Sequence, residues 1–385
     1  MSPPKPRLPW IDHLRTLIIL LVVSMHACVT YSHVGDWYVT AEHEPSLPEK
    51  LVFVFWQAHL QAFFMGLLFF ISGYFVPGAL ARRGAGGFLR ERWMRLGLPA
   101  LFYMLVIHPF ILLGLNPWHA DFPPAHIYYL HYLETGKFLG SSGPLWFAAA
   151  LLIFCVVTVL WRQVRPVASE RAATTGVAAA PGAAQLWMFG LFLAGATFLM
   201  RLVQPLGTNV LNFQLGYFVQ YVAAFAAGLA AARQGWLLPL AASVQARRAG
   251  WLALIGGPLL LLALVVALLK FPDAANKAPQ QGGWHWQSLA LSFWEQLTGL
   301  GLSLGLIAFF SRRLNFERPI LHWLGERSFA VYVLHAPVLI ALMMAFRSLP
   351  QVPIALAALL TVSGLVLSFA LADLARRVPG LRAIL

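Results

Sequence analysis

The stretch Leu259-Leu260-Leu261-Leu262-Ala263-Leu264-Val265-Val266 decides the fold. Only helices and closed barrels satisfy every backbone polar group inside a bilayer. A barrel strand alternates apolar and polar residues over roughly ten positions, and this stretch does not alternate. It lies within an interval, 249 to 269, that lacks Asp, Glu, Lys and Arg, and roughly 20 apolar residues are what a helix needs to span hydrocarbon. The segment therefore reads as a transmembrane helix.

Working outward, the same pattern recurs along the chain. Charge-free intervals cover 16 to 35, 51 to 81, 96 to 120, 138 to 161, 172 to 200, 202 to 232, 328 to 346 and 348 to 372. A tenth candidate, about 289 to 311, is equally apolar but carries Glu295, and reads as a span with an embedded carboxylate. Composition agrees: 59% of the 385 residues are hydrophobic and 11% charged, against about 25% charged in soluble domains. The expected fold is an all-α, polytopic membrane helix bundle of about ten transmembrane helices.

Ten spans place the loops alternately on two sides, and the basic residues divide 21 to 6 between them. Cytoplasmic loops are the basic ones, so both termini are expected in the cytoplasm. The net charge of +13 follows from this topology; the clusters sit between apolar segments, which argues against a nucleic-acid partner. Cys28 and Cys155 both lie in apolar segments, which excludes a disulfide framework or a cysteine metal cluster. No small-x-small cleavage pattern follows the first segment, so it reads as a retained helix rather than a signal peptide. Residues 1–385 read as a single integral-membrane domain containing a cytoplasmic linker loop at 162–184, rich in Ala and Thr, and a flexible outer loop from Asp273 to Gly283. There is no internal repeat.

Polar groups within spans are costly and mark functional candidates. Arg15 and His26 are eleven residues apart, about 1100° of helix, so they share a face with about 16 Å of rise between them. From spacing alone, a snorkelling arginine and a hydrogen-bonded core histidine describe the pair equally well. Arg82, Arg83, Arg90, Arg92 and Arg95 crowd one cytoplasmic loop; such a run can simply obey the positive-inside rule. Yet Arg92 and Arg95 are three apart on a helix turn, so their forks can converge on one phosphate, and with Arg15 they could receive a nucleotide-bearing donor. No Walker or dinucleotide glycine pattern points to ATP or NAD.

Five motifs in order carry a resemblance: Asp12-His13-Leu14-Arg15 leading to His26, Phe69-Phe70-Ile71-Ser72-Gly73-Tyr74-Phe75, Arg92-x-x-Arg95-Leu96-x-Leu98-Pro99, Pro144-Leu145-Trp146-Phe147, and Ser328-Phe329-Ala330-Val331-Tyr332-Val333-Leu334-His335-Ala336-Pro337. Together they resemble the membrane acyltransferase-3 family. The stretches His26 to Ser32, Ala41 to Leu47 and Leu314-Asn315-Phe316 look most like members associated with succinylation of periplasmic glucans. The resemblance implies an enzyme of a bacterial inner membrane that moves an acyl group, succinyl or acetyl, from cytoplasmic acyl-CoA to a hydroxyl of a periplasmic or lipid-linked glycan. Acyl-CoA is then a co-substrate, with no bound cofactor, and the expected partners are acyl-CoA, the saccharide acceptor and membrane lipids. Arg15 and His26 match the family's catalytic pair. Arg92 and Arg95 match its Arg-x-x-Arg, placed with Arg15 and Tyr74 on the acyl-CoA. The periplasmic esterase-like domain attached to some members does not occur in this sequence.

A thioester donor needs a base for the acceptor hydroxyl, a group for the oxyanion and exclusion of water. No Ser-x-x-Lys or Gly-x-Ser-x-Gly motif offers a serine nucleophile, which leaves His26 as general base or transient acyl carrier. His335 is a candidate to orient substrate, pair with His26 or bond to Tyr332. Glu295 and His59 are candidates to bind acceptor hydroxyls or to hold helices together. Trp37, Tyr38, Trp56, Trp118 and Trp146 gather near the outer face, for sugar stacking or as an interfacial belt. His119, His126 and His131 lack the His-x-x-x-His spacing of a metal site, so no metal is expected. A secondary transporter or flippase for a glycan or amphipathic solute is the alternative, but the internal symmetry usual in such folds is missing. A non-catalytic scaffold would not need the Arg15 and His26 arrangement.

Overall fold

The computed structural model describes residues 8–115, 123–164, 179–271 and 278–385. Among them every named element is helical. Nine helices are long and apolar enough to cross a membrane: α1 (Pro9–Ser32), α2 (Leu47–Leu115), α4 (Gly143–Val164), α5 (Ala183–Val203), α6 (Leu215–Gln234), α8 (Val244–Lys270), α9 (Trp286–Arg313), α10 (Pro319–Ala345) and α11 (Pro353–Ala375). Three short helices, α3 (Ala125–Glu134), α7 (Leu237–Ala242) and α12 (Leu381–Ile384), join or end them.

The count of nine against the expected ten has a single cause. The interval 51 to 81 and the described part of 96 to 120, as far as residue 115, count as one helix, the 69-residue α2, in which a kink divides two arms that answer to the two intervals. It bends at Gly84, whose φ of 67° and ψ of 173° are not helical. Nothing lies within 4 Å of where a Cβ would stand there, so the left-handed backbone, not space, calls for glycine. The bend turns the chain back: Gln57 on the first arm donates to Ser32 at the end of α1, and Tyr103 and His108 on the second arm return to Tyr38, just beyond that same end.

The second arm alternates α-helix with π turns at Trp93–Gly97, Tyr103–Ile107 and Ile111–Leu115. Pro99 and Pro109 each follow a π turn closely. Proline has no N–H to give the carbonyl four residues back, and its ring crowds that carbonyl; one extra residue in the turn relieves both faults. The freed carbonyls find other donors, Tyr129 hydroxyl on Leu105 at 3.1 Å and Tyr132 hydroxyl on Met104 at 2.6 Å.

Helix α1 is the axis of the bundle, packed against α2, α9, α10 and α11, with Leu14, Ile18 and Val23 fully buried. At the other extreme stands α8, where Leu259 and Leu260 are 62% exposed while Leu261 and Leu264 face inward. In water such a face would be a liability; in lipid it is the helix's contact with acyl chains. The linker 162–184 is described only as far as residue 164 and from 179, and Trp118, His119 and residues 273 to 277 of the outer loop also lie outside the described residues.

Helices α2 and α6 cross with their backbones close together. A Cβ at Gly73 would run into the Phe225 carbonyl, and one at Gly228 into the Phe70 carbonyl. Lipid gives no hydrophobic drive for helices to associate, so van der Waals packing of close backbones does the work. Gly228→Val should therefore cost about 1–3 kcal/mol by overpacking, read as a lower midpoint of thermal unfolding in detergent. Gly256→Ala on α8, where a Cβ meets nothing, should leave the midpoint unchanged or raise it.

Candidate active site

The bundle encloses a cavity of about 680 Å³ toward the end away from the arginine clusters. Its walls come from α1, the loop after α1, the first arm of α2, the start of α4, the segment before α6, and α9 and α10. His26 on α1 and Tyr332 on α10 line one side; Glu295 and Trp294 on α9 line another.

His26 does not stand alone. Its Nδ1 lies 3.0 Å from Nε2 of His335, which is fully buried on α10. His335 Nδ1 in turn lies 2.8 Å from the Tyr332 carbonyl oxygen. A carbonyl only accepts, so His335 carries its proton on Nδ1, and in a neutral ring its Nε2 is the acceptor. His26 Nδ1–H must then donate to it. The proton is fixed on Nδ1, and Nε2 becomes the bare nitrogen of a ring that lines the cavity. The partner of His335 is the backbone of Tyr332, not its phenol, which donates to the Pro144 carbonyl.

The loop after α1 holds the ring from its other face. Trp37 stacks on His26 with centroids 4.1 Å apart and planes at 15°. Tyr38 reaches Tyr103 hydroxyl at 3.0 Å and His108 Nδ1 at 2.9 Å. Burial pushes the Tyr38 phenol above its ordinary value, so it stays an O–H. Neither Tyr103 nor His108 stands out in the sequence, because five residues separate them on an otherwise apolar helix.

On α9 Glu295, which also lines the cavity, is 4% exposed and paired with Arg201, whose Nη2 donates to Oε1 at 2.9 Å and Oε2 at 2.8 Å. Gln296 donates to Oε1 as well. Arg201 is 0% exposed; its Nη1 donates to Ser292 Oγ at 3.2 Å, and its guanidinium lies 5.3 Å over the Tyr217 ring. The sequence places Arg201 in an outer loop, since it separates two charge-free intervals. It belongs instead to the last turn of α5. The interval 202 to 232 is likewise not all helix: α6 starts at Leu215, and the polar, proline- and glycine-containing residues before it form cavity wall. Leu211 and Asn212 there adopt positive φ. Asn212 pins the turn by donating to Ser142 Oγ and the Gly143 carbonyl, both at 2.9 Å.

The arginines gather at the other end. Arg83, Arg92 and Arg95 surround Glu91, at 3.1, 3.9 and 4.0 Å, and Arg15 lies 3.8 Å from Asp12 within reach of the charges of Arg92 and Arg95. Arg15 and Arg95 are about half exposed, and none of these arginines lines the cavity. The structure thus brings Arg15, Arg92 and Arg95 together and sets His26 apart from them, with Ile18, Ile19 and Val23 buried on α1 between. Glu91, the shared counter-ion, is hidden in the sequence by the arginines around it.

Trp146 lines the cavity and stacks on Tyr221 at 5.4 Å. His59 does not line it; its Nδ1 lies 2.6 Å from the Phe55 carbonyl oxygen and its ring meets Trp294 edge-on at 5.1 Å, so it packs α2 against α9. Tyr74 does not line it either; its ring stands edge-on to Phe75, and its backbone abuts Gly228.

The family described as acyltransferase domain matches residues 8–373. The chain therefore belongs to the membrane acyltransferase-3 family and is an integral membrane acyltransferase. No curated protein and no solved structure matches it.

The Arg201 and Glu295 pair makes a stability prediction. Removing one partner of a buried ion pair leaves an uncompensated charge, at about 3–5 kcal/mol, whereas replacing both together is far cheaper. Arg201→Met should reduce the fraction of protein that stays folded through heating in detergent, and Arg201→Met with Glu295→Gln should recover most of the loss. A double variant as unstable as the single one would refute the pairing.

Proposed function

We propose that the protein transfers an acyl group, acetyl or succinyl, from cytoplasmic acyl-CoA to a hydroxyl of a glycan or lipid-linked saccharide on the outer face of a bacterial inner membrane. The observation that carries this reading is the chain from His26 through His335 to the Tyr332 carbonyl. It leaves a basic nitrogen facing a cavity large enough for sugar units.

In this reading the arginine-rich end is cytoplasmic, in line with the 21 to 6 division of basic residues. Arg92 and Arg95, with Arg15, grip the phosphates of CoA through charge-assisted bonds. About 16 Å of rise along α1 separates Arg15 from His26, a distance an extended pantetheine arm covers. The acceptor enters from the opposite side. His26 Nε2 takes the proton of its hydroxyl as the oxygen attacks the thioester carbonyl. The tetrahedral intermediate then collapses with cleavage of the carbon–sulfur bond, and the proton passes from His26 to the departing thiolate. His335 is a positioning residue: it holds the tautomer and accepts the Nδ1–H bond as His26 becomes cationic. Succinyl is supported by the resemblance of His26 to Ser32 and Ala41 to Leu47 to glucans biosynthesis protein C, and by that alone.

Purified protein given acyl-labelled CoA and glycan tests the reading through the appearance of label on saccharide. General base catalysis contributes about 10²–10⁴-fold, so His26→Gln should lower kcat by that order while CoA still binds. His335→Phe should lower kcat with little change in KM, because the acceptor of the Nδ1–H is lost but not the base. Near-normal turnover in His26→Gln would return that residue to a structural role.

The donor end gives a separate expectation. Arg95→Lys keeps charge but removes the planar fork, so the KM for acyl-CoA should rise with kcat less affected. Unchanged CoA affinity in Arg92→Ala and Arg95→Ala would leave the cluster with topology alone.

A further inference from the structure

Resting on the reading of the cavity as the acceptor's chamber, we propose that it takes an uncharged polyhydroxyl acceptor, anchored on the Glu295 carboxylate, and turns acidic saccharides away. Among the described residues lining the cavity the formally charged side chains are Asp36 and Glu295, both carboxylates; no lysine or arginine lines it. The arginine nearest to Glu295 is spent: Arg201 stands behind the carboxylate, fully buried, with its Nη donors on Glu295 and Ser292. An acid entering here gives up its hydration with no cation to replace it, and that loss is large for an ion away from bulk water. Asp36 at the exposed rim adds repulsion, while the charge of Glu295 is offset by Arg201.

The same wall suits a neutral sugar. A carboxylate offers about four acceptor sites, and Glu295 uses three contacts, two from Arg201 and one from Gln296. Oε2 keeps a site for a sugar hydroxyl. Arg201 keeps the carboxylate from rotating, so the anchor is set before the ligand arrives. Around it stand aromatic faces from Trp146, Tyr217, Tyr221 and Trp294, and Trp294 is held in place by its indole N–H on the Gly257 carbonyl at 2.7 Å. Apolar faces of a sugar ring can lie on these rings while its hydroxyls reach Glu295, Gln61 and Asn209, a division of labour typical of sites with aromatic walls and few convergent polar groups. His26 lines the same cavity from α1, so a sugar anchored at Glu295 can offer another of its hydroxyls to the base.

The test uses the full chain in lipid nanodiscs and follows tryptophan emission, since Trp37, Trp146 and Trp294 all line the cavity. The probes are a neutral β-glucan tetrasaccharide and its glucuronate counterpart, oxidised at every primary hydroxyl. The expected result is a saturable change with the neutral probe and at least a tenfold weaker response to the acid. Asn209→Lys, on an exposed part of the cavity rim, should narrow that gap by admitting the acid. Equal binding of both probes, or preference for the acid, would overturn the charge selection and leave the glycan-acceptor reading standing. Binding of neither probe, in a protein that still transfers acyl groups to water, would overturn both.

Discussion

One constraint shapes the site: a polar group within the apolar slab is costly unless another part of the protein meets it, because lipid offers it nothing. The described residues answer it with short chains of partners that cross between helices. His26 is met by His335, and His335 by a backbone carbonyl of its own helix. Glu295 is met by Arg201 and Gln296. Tyr38 joins a loop to the second arm of α2. Each chain ties two elements at a fixed height, so the groups that make the bundle costly to bury also set its register.

These chains leave the molecule with two chemically distinct ends. One is basic, half-exposed and organised around Glu91 and Asp12. The other is aromatic, amide-rich and free of cations along its cavity. Helix α1 connects them, with Arg15 in the first region and His26 in the second, and packs against four other spanning helices. Under the proposed function, such a central element would let each substrate be recognised by surroundings suited to its own charge.

The fold was legible in the sequence because absence of charge over about 20 residues has few interpretations. The same criterion hides detail. It treats Gln204 to Gln214 as span, although proline, glycine and asparagine there break the helix, and it treats Arg201 as loop because a charge ends an interval by definition. The doubling-back at Arg82 to Arg95 was legible as a loop between two spans; that helix continues up to a kink at Gly84 was not, since Gly84, Gly86 and Gly87 read as loop residues. Of the candidate site, His26, Arg15, Arg92 and Arg95 were proposed through spacing and resemblance. His335 as the partner of His26 was one of several options, since 309 residues separate the two and only packing brings them together. Tyr103 and His108 carried no periodic signal, for a reason that lies in the winding of their helix.

That winding has a consequence for how the cavity is built. In an α-helix, residues five apart point about 140° away from each other, and Tyr103 and His108 would look in different directions. The π turn between them closes with the His108 N–H on the Tyr103 carbonyl, an i to i+5 bond that brings the two positions back over one another. Both can then meet the single hydroxyl of Tyr38. The inserted residue acts as a phase corrector: Pro109 forces the helix out of step, and the resulting offset is what aligns two polar side chains on an otherwise apolar helix. A one-residue deletion there would keep the helix apolar and long enough to span, yet rotate His108 out of the wall.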